Sequence, residues 1–312
     1  MGSALAGALF HGGTPVSGTV RRGDQVGNHD LGVELISIGE VGPDTDWSSA
    51  LRDIEVIVHL VARTHVMRSY GDDDLRLYRR INVGGTRRLA EQAAQKGVRR
   101  FVFVSSIKVN GERTSDRPFR SSDPPSPEDA YGISKREAEE VLADVATRHD
   151  METVVVRPPL VYGPGVRGNF RRLVGLVARG WPLPFGSVGN RRSMIGLDNL
   201  VDLLVRCVES PRARGQTFLA CDSESLSTPQ LIRSIAVATG RPARLFPTPV
   251  GVLRMLGGIA GRLEEVGRIC DSLEVDARAT RELLEWEPAV SVHDGVRETV
   301  EHLMRAQLAP RG

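Results

Sequence analysis

Cysteine is scarce in this chain, and the little there is builds neither a metal site nor a disulfide framework. Cys207, Cys221 and Cys270 stand far apart, show no metal-ligand spacing and leave one thiol over. A reducing compartment, the cytoplasm, is the expected setting, with no metal. Charge of one sign is not in excess either: 41 Lys and Arg face 39 Asp and Glu. A nucleic-acid partner would favour a basic stripe, so none is expected. No apolar run reaches the ~20 residues of a membrane span. The nearest, Val250 to Ala260, is interrupted by Arg254. The opening Met1-Gly-Ser-Ala-Leu-Ala-Gly-Ala-Leu-Phe10 has no Lys or Arg before it, as a secretory signal would, and Ala6 stands where a myristoylation motif needs Ser or Thr. Internal repeats and low-complexity tracts are absent.

What is present is an alternation of strands and helices in 312 residues, enough for a large core and two lobes. Ile54 to Leu60 reads as a buried strand. A polar helix follows over Leu75 to Lys96, with Gly97 as its stop. Phe101 to Val104 is the next strand, Ala130 to Arg148 a helix, and Thr153 to Arg157 a strand again. Continuous apolar strands separated by helices mean an α/β fold with a parallel sheet covered on both faces. Beyond about residue 165 Gly and Pro become frequent, and Ser227-Thr228-Pro229 opens a helix that Gly240 ends. Residues 1–165 are therefore expected to form the first domain. Residues 166–312 are expected to form mainly a smaller α+β substrate lobe, with some segments returning to the first domain.

Proton-transfer chemistry is concentrated in Tyr131-Gly-Ile-Ser-Lys135, whose Tyr and Lys share one helix face. Ser105-Ser106 ends an apolar strand, with Ser106 lying 25 positions before Tyr131. A free phenol titrates at about 10, and a nearby ammonium favours the phenolate. Tyr131 can then exchange a proton with a substrate hydroxyl while a hydride moves to or from a nicotinamide, with Ser106 bonding the same oxygen. Lys135 can also hold the cofactor ribose.

With these residues in place the sequence resembles the extended short-chain dehydrogenases, the NAD-dependent epimerase/dehydratase family. The likeness is carried by His59-Leu-Val-Ala62, Asn82-Val-Gly-Gly-Thr86, Phe101-Val-Phe-Val-Ser-Ser-Ile-Lys-Val-Asn-Gly111, Tyr131 to Lys135 and Arg157-Pro-Pro-Leu-Val-Tyr-Gly-Pro164. The resemblance implies a Rossmann-like doubly wound sheet and C4 chemistry on a UDP-sugar, by epimerisation or 4-keto reduction, in a cytoplasmic protein with no membrane span that could pair as a homodimer. It makes Tyr131 the acid/base, Lys135 its activator and Ser106 the substrate-oxygen partner. Asn169 and Arg192 match nucleotide-sugar contacts, Arg192 at the diphosphate. Gly2, His59, Leu60, Val61, Ala62, Asn82, Pro158, Tyr131 and Lys135 fall at cofactor positions, with His59 more a packed strand-end residue than a catalyst. The segment after Arg157, Pro158-Pro-Leu160, is similar to the subgroup of bacterial polysaccharide synthesis that includes UDP-sugar 4-keto reductases.

The resemblance departs at the start. Met1-Gly2 looks like the tail of a Gly-x-x-Gly-x-x-Gly turn whose strand and first two glycines are absent. Such a first strand sits mid-sheet, so the expectation is a slot between two strands, poor folding and weak cofactor binding. Gly163-Pro-Gly-Val-Arg-Gly168 is a literal Gly-x-Gly-x-x-Gly. It comes after the Tyr–Lys pair and lacks an acidic residue about 20 positions on, so it reads as a substrate-side loop. Arg21 and Arg22, at the end of an expected strand, favour NADP over NAD, since an arginine can accept a 2′-phosphate. A non-catalytic dinucleotide-binding protein and a ketone reductase acting on a non-sugar substrate remain the rival readings.

Overall fold

Period-two burial builds the centre of the molecule. In the computed structural model, which describes residues 1–21, 32–64 and 72–308, strands β3 (Val56–His59), β4 (Arg100–Val104), β5 (Glu152–Arg157) and β8 (Gln216–Leu219) form one parallel sheet in the order β3-β4-β5-β8. Successive strand residues point to opposite faces. Val102, Val104, Val154 and Val156 pack on one side with Leu5 and Leu9 of α1 (Gly2–His11) and with Leu200, Leu203 and Leu204 of α6 (Leu197–Glu209). Phe101 and Phe103 pack on the other with α3 (Gly85–Gln95) and α4 (Ala130–His149). This is the covered parallel sheet that continuous apolar strands imply.

The sheet is interrupted on one side. β1 (Ser17–Arg21) and β2 (Glu34–Ile38) pair in parallel as a separate two-stranded sheet, and among the described residues no ladder joins them to β3.

Two elements are positioned by local chemistry that bears on function. The helix expected over Leu75 to Lys96 is instead α2 (Asp72–Tyr78), a π-helical turn (Arg79–Gly84) and α3, closed by Gly97 at φ +76°. π-turns often mark functional positions, and this one carries Asn82. At Gly85 a Cβ would lie 2.8 Å from Val41 Cγ1, so a glycine lets the helix start close against that loop. In α4, Asp129 caps the first turn by accepting a bond from the Gly132 amide at 2.7 Å. Ala138, Leu142, Val145 and Ala146 then give the helix a buried stripe, and Asp150 ends it in the left-handed region.

The second half packs α5 (Gly168–Ala178), α7 (Thr228–Thr239) and α11 (Val292–Leu308) around β6 (Leu160–Tyr162) and β7 (Met194–Gly196). α7 has the expected start, a capping box between Ser227 and Gln230, and the expected end, Gly240 at φ +64°. Helices α8 (Val250–Ile259), α9 (Leu263–Cys270) and α10 (Arg278–Leu284) complete it. Among the described residues no helix is long and apolar enough to cross a membrane.

Arg100 ties the sheet to α6. Its guanidinium binds Glu152 at 2.7 Å and the carbonyls of Cys207, Val208 and Ser210 at 3.0, 2.9 and 2.8 Å, with the side chain 2% exposed. Removing one partner of a buried pair strands the others, so Arg100→Met should cost about 3 kcal/mol or more in a urea titration. A loss below about 1 kcal/mol would contradict this placement.

Candidate active site

Parallel strands bring their carboxyl ends to one edge, and that is where sheets of this kind bind ligands. His59, Val104 and Arg157 end β3, β4 and β5 there. Ser106 follows β4, and its hydroxyl accepts from the Lys108 amide at 3.3 Å to start the short turn Ile107–Val109. Tyr131 and Lys135 come in on the first turns of α4.

The structure brings Ser106 and Tyr131 together through a side-chain hydrogen bond. Lys135 is buried one turn further on. Its ammonium donates to the Val104 carbonyl at 2.8 Å and lies 3.9 Å from the Phe103 ring centroid. The expected lowering of the phenol by the ammonium is not what this geometry produces. Burial, reinforced by the Asp129 carboxylate and Tyr78, pushes the Tyr131 phenol up to about 12 against the opposing bond to Ser106. Burial pushes Lys135 down to about 7, with Glu139 acting the other way. An ammonium that is itself desolvated and directed at a carbonyl is not among the groups acting on Tyr131.

Two ionic clusters hold these side chains. Arg157 grips Glu139, one turn past Lys135, at 3.0 and 2.6 Å, and Asn110 at 3.0 Å, so β5, α4 and the Ser106 loop are joined by one guanidinium. Lys108 bridges Asp129 at 2.5 Å and Glu112 at 2.7 Å. Neither cluster stands out in the sequence, because the pairs are separated by 18 and 21 positions.

The residues expected at cofactor positions are placed as follows. A Cβ on Gly2 would lie 3.8 Å from Leu60 Cδ1, so the start of α1 stands beside the end of β3. The first turn of α1 has no side-chain cap. His59 is a buried packing residue, stacked on Phe103 and 3.1 Å from the Thr86 hydroxyl, and burial holds its imidazole down at about 3. Val61 is exposed, and Leu60 and Ala62 are half-buried. Asn82 binds the backbone of Arg63 in both directions, at 2.8 and 3.2 Å, and donates to Ser134 Oγ at 2.9 Å. Pro158 is buried, with its carbonyl accepting from the Ile107 amide at 3.0 Å. Arg21 is exposed at the end of β1, and Arg22 lies outside the described residues. Sequence reasoning missed Ser105, whose buried hydroxyl has no hydrogen-bond partner among the described residues, Tyr78, whose ring meets that of Tyr131, and Arg63, which lies over the Tyr78 ring.

On the substrate side, Arg192 is half-buried and donates to the Asp271 carbonyl at 3.0 Å. Burial lowers its guanidinium from the ordinary arginine value, with the charges of Asp271 and then Glu112, on the loop after Ser106, acting the other way. Asn169 is exposed in the first turn of α5. The Gly163 to Gly168 loop joins β6 to α5 in the second half of the chain. Among the described residues no group of His, Cys, Asp and Glu could hold a metal.

A parallel sheet covered by helices on both faces, with its ligand edge at the strands' carboxyl ends, defines a Rossmann-like α/β protein. The model of the NAD dependent epimerase/dehydratase family matches residues 1–221, and the chain belongs to that family. A UDP-glucose 4-epimerase of Vibrio cholerae is 42% identical over 281 residues, covering 89% of this chain and 85% of that protein. A UDP-glucose 4-epimerase of Mycolicibacterium smegmatis is 30% identical over 270 residues, covering 83% and 79%. The crystal structure of a UDP-glucuronic acid 4-epimerase from Bacillus cereus in complex with UDP-glucuronic acid and NAD matches with a TM-score of 0.78 at 22% identity, covering 98% of this chain and 96% of that one, which establishes the common fold.

The Lys135 environment carries a pH signature. Its folded-state value of about 7 lies below the ordinary lysine value of 10.5, so between these limits the unfolded chain binds a proton that the folded chain does not. Stability should therefore rise from pH 7 towards pH 9.5, and Lys135→Met should remove most of that rise while stabilising the fold at pH 7. Denaturant titrations of both proteins at several pH values check this; parallel pH profiles would contradict it.

Proposed function

We propose that this chain is a UDP-sugar 4-epimerase working with NAD. The observation that carries the reading is the contact of Ser106 with Tyr131 at the carboxyl edge of the sheet. It is supported by the 42% identity to the Vibrio cholerae UDP-glucose 4-epimerase. The residues present fit a dinucleotide. The uncapped first turn of α1 offers backbone N–H groups to a diphosphate, and the Ser105 hydroxyl, unpartnered among the described residues, and the half-buried Leu60 and Ala62 border the same edge. NAD, when bound, supplies a hydride acceptor and donor for C4 of the sugar.

The chain's own residues do the rest. Tyr131 takes the proton of the sugar's 4-hydroxyl as that carbon becomes a ketone, and returns it when the hydroxyl re-forms with the opposite configuration. Ser106 holds the same oxygen by a hydrogen bond. Lys135, with an ammonium brought near neutrality by burial, holds the cofactor ribose. Arg192 grips the nucleotide diphosphate through its forked donors, and Asn169 meets the nucleotide sugar. His59 packs the strand end and moves no proton. The boundary between cofactor and substrate lobes falls near residue 165, with β8 and α6 returning to the first. A lean towards NADP rests on Arg21 and Arg22 alone, whereas the Bacillus cereus structure was solved with NAD, so NAD is the cofactor proposed. A cytoplasmic homodimer is the setting we assign.

Tyr131→Phe should lower interconversion of UDP-glucose and UDP-galactose by ~10²–10⁴-fold while leaving the NAD content of the protein unchanged. Turnover surviving the substitution would overturn the assigned role.

A further inference from the structure

We infer that Arg63 and Tyr78 form a second part of the acid/base centre, in which the Arg63 guanidinium acts through the Tyr78 ring to keep the Tyr131 phenol able to give up and take back its proton. The inference rests on the proposed role of Tyr131 and adds a positioning residue outside the Ser106, Tyr131 and Lys135 trio.

The geometry is continuous. The Arg63 guanidinium carbon lies 5.9 Å from the Tyr78 ring centroid, within cation–π range. The Tyr78 ring meets the Tyr131 ring edge-on, 6.1 Å between centroids. Tyr78 is buried, so its ring is largely withdrawn from solvent between the two contacts. The Arg63 Nε is buried and has no hydrogen-bond partner among the described residues. Both ends of the chain of contacts are fixed by one side chain. Asn82 binds the Arg63 amide and carbonyl and donates to Ser134 Oγ, which in turn donates to the Tyr131 carbonyl at 2.8 Å. The π-helical turn that carries Asn82 is thus the hinge between Arg63 and Tyr131.

The site needs such a charge. The groups acting on Tyr131 are Asp129, which caps α4, Tyr78 from α2 and Ser106 from the loop after β4, with Lys108 bound to Asp129 and Lys135 one turn along α4. The Arg79–Glu137 pair joins the π-turn to α4 nearby. Burial, Asp129 and Tyr78 all oppose the phenolate, and Lys135 is turned to the Val104 carbonyl. A guanidinium keeps its charge where a buried ammonium loses it. Among the described residues Arg63 is a cation placed to offset these effects, and Tyr78 is the polarisable surface between them.

The test is a tyrosinate-absorbance titration of the full chain, with the Tyr131→Phe protein subtracted to isolate Tyr131. Arg63→Met should move the Tyr131 titration up by about one pH unit, and Arg63→Lys should move it nearly as far, because an ammonium is neutral by the pH at which a phenol at about 12 titrates. In a Tyr78→Leu background, Arg63→Met should add little further shift. Arg63→Gln serves in the same way if the Met variant does not fold by circular dichroism. A titration unmoved by loss of the guanidinium, or a full shift on Arg63→Met in the Tyr78→Leu background, overturns the proposal, since the effect is assigned to a charge acting through the Tyr78 ring. The titration needs no substrate, so it decides this inference even if UDP-sugar turnover, measured separately, is absent.

Discussion

One guanidinium holds the site together. Arg157, at the end of β5, grips Glu139 on α4 and Asn110 on the loop that carries Ser106. The bonds to Glu139 are doubled and both partners are largely withdrawn from water, at 7% and 11% exposure. A forked pair in that setting fixes direction as well as distance. It therefore sets how α4 lies across the sheet edge, and with it the separation of Tyr131 from Ser106. Lys108, bridging Asp129 and Glu112, fastens the same loop to the start of α4 from the other side.

The cost of this arrangement is electrostatic. Driving Tyr131 and Lys135 under the sheet edge removes water from both, and each is pushed towards its neutral form. A neutral phenol is a proton donor but a poor base, so the centre depends on charges placed by the surrounding fold. Ser106 stabilises the phenolate by hydrogen bonding, while Asp129 and Tyr78 oppose it. The packing that builds the site and the electrostatics that operate it thus pull in opposite directions. Buried centres of this kind are tuned by fixed neighbours rather than by solvent.

Much of this was legible in the residues. The apolar strands over residues 56–59, 100–104 and 152–157 and the helix of Tyr131 and Lys135 follow from local pattern and caps, as do the start and stop of α7. The meeting of Ser106 with Tyr131 follows once both are placed at one edge of a parallel sheet. What local pattern did not reveal is long-range. The π-turn at Arg79–Gly84 arises because Asn82 must reach Arg63 and Ser134 at once, a demand set by three separate elements. The direction of the Lys135 ammonium depends on the Val104 carbonyl, 31 positions away. The unpartnered hydroxyl of Ser105 is visible only when the neighbours are in place. Spacing along the chain identifies which residues can do chemistry; which way they point is decided by burial.

The central claim is that a hydride leaves and returns to C4 of a sugar while Tyr131 handles the proton on its oxygen. The direct measurement uses UDP-glucose carrying deuterium at C4, incubated with the chain and NAD, with the product analysed by mass spectrometry and proton NMR. The account predicts UDP-galactose that keeps its deuterium at C4, because the hydride does not exchange with water. Product that has lost the label to solvent, or no UDP-galactose at all from a folded, NAD-loaded protein, would contradict it.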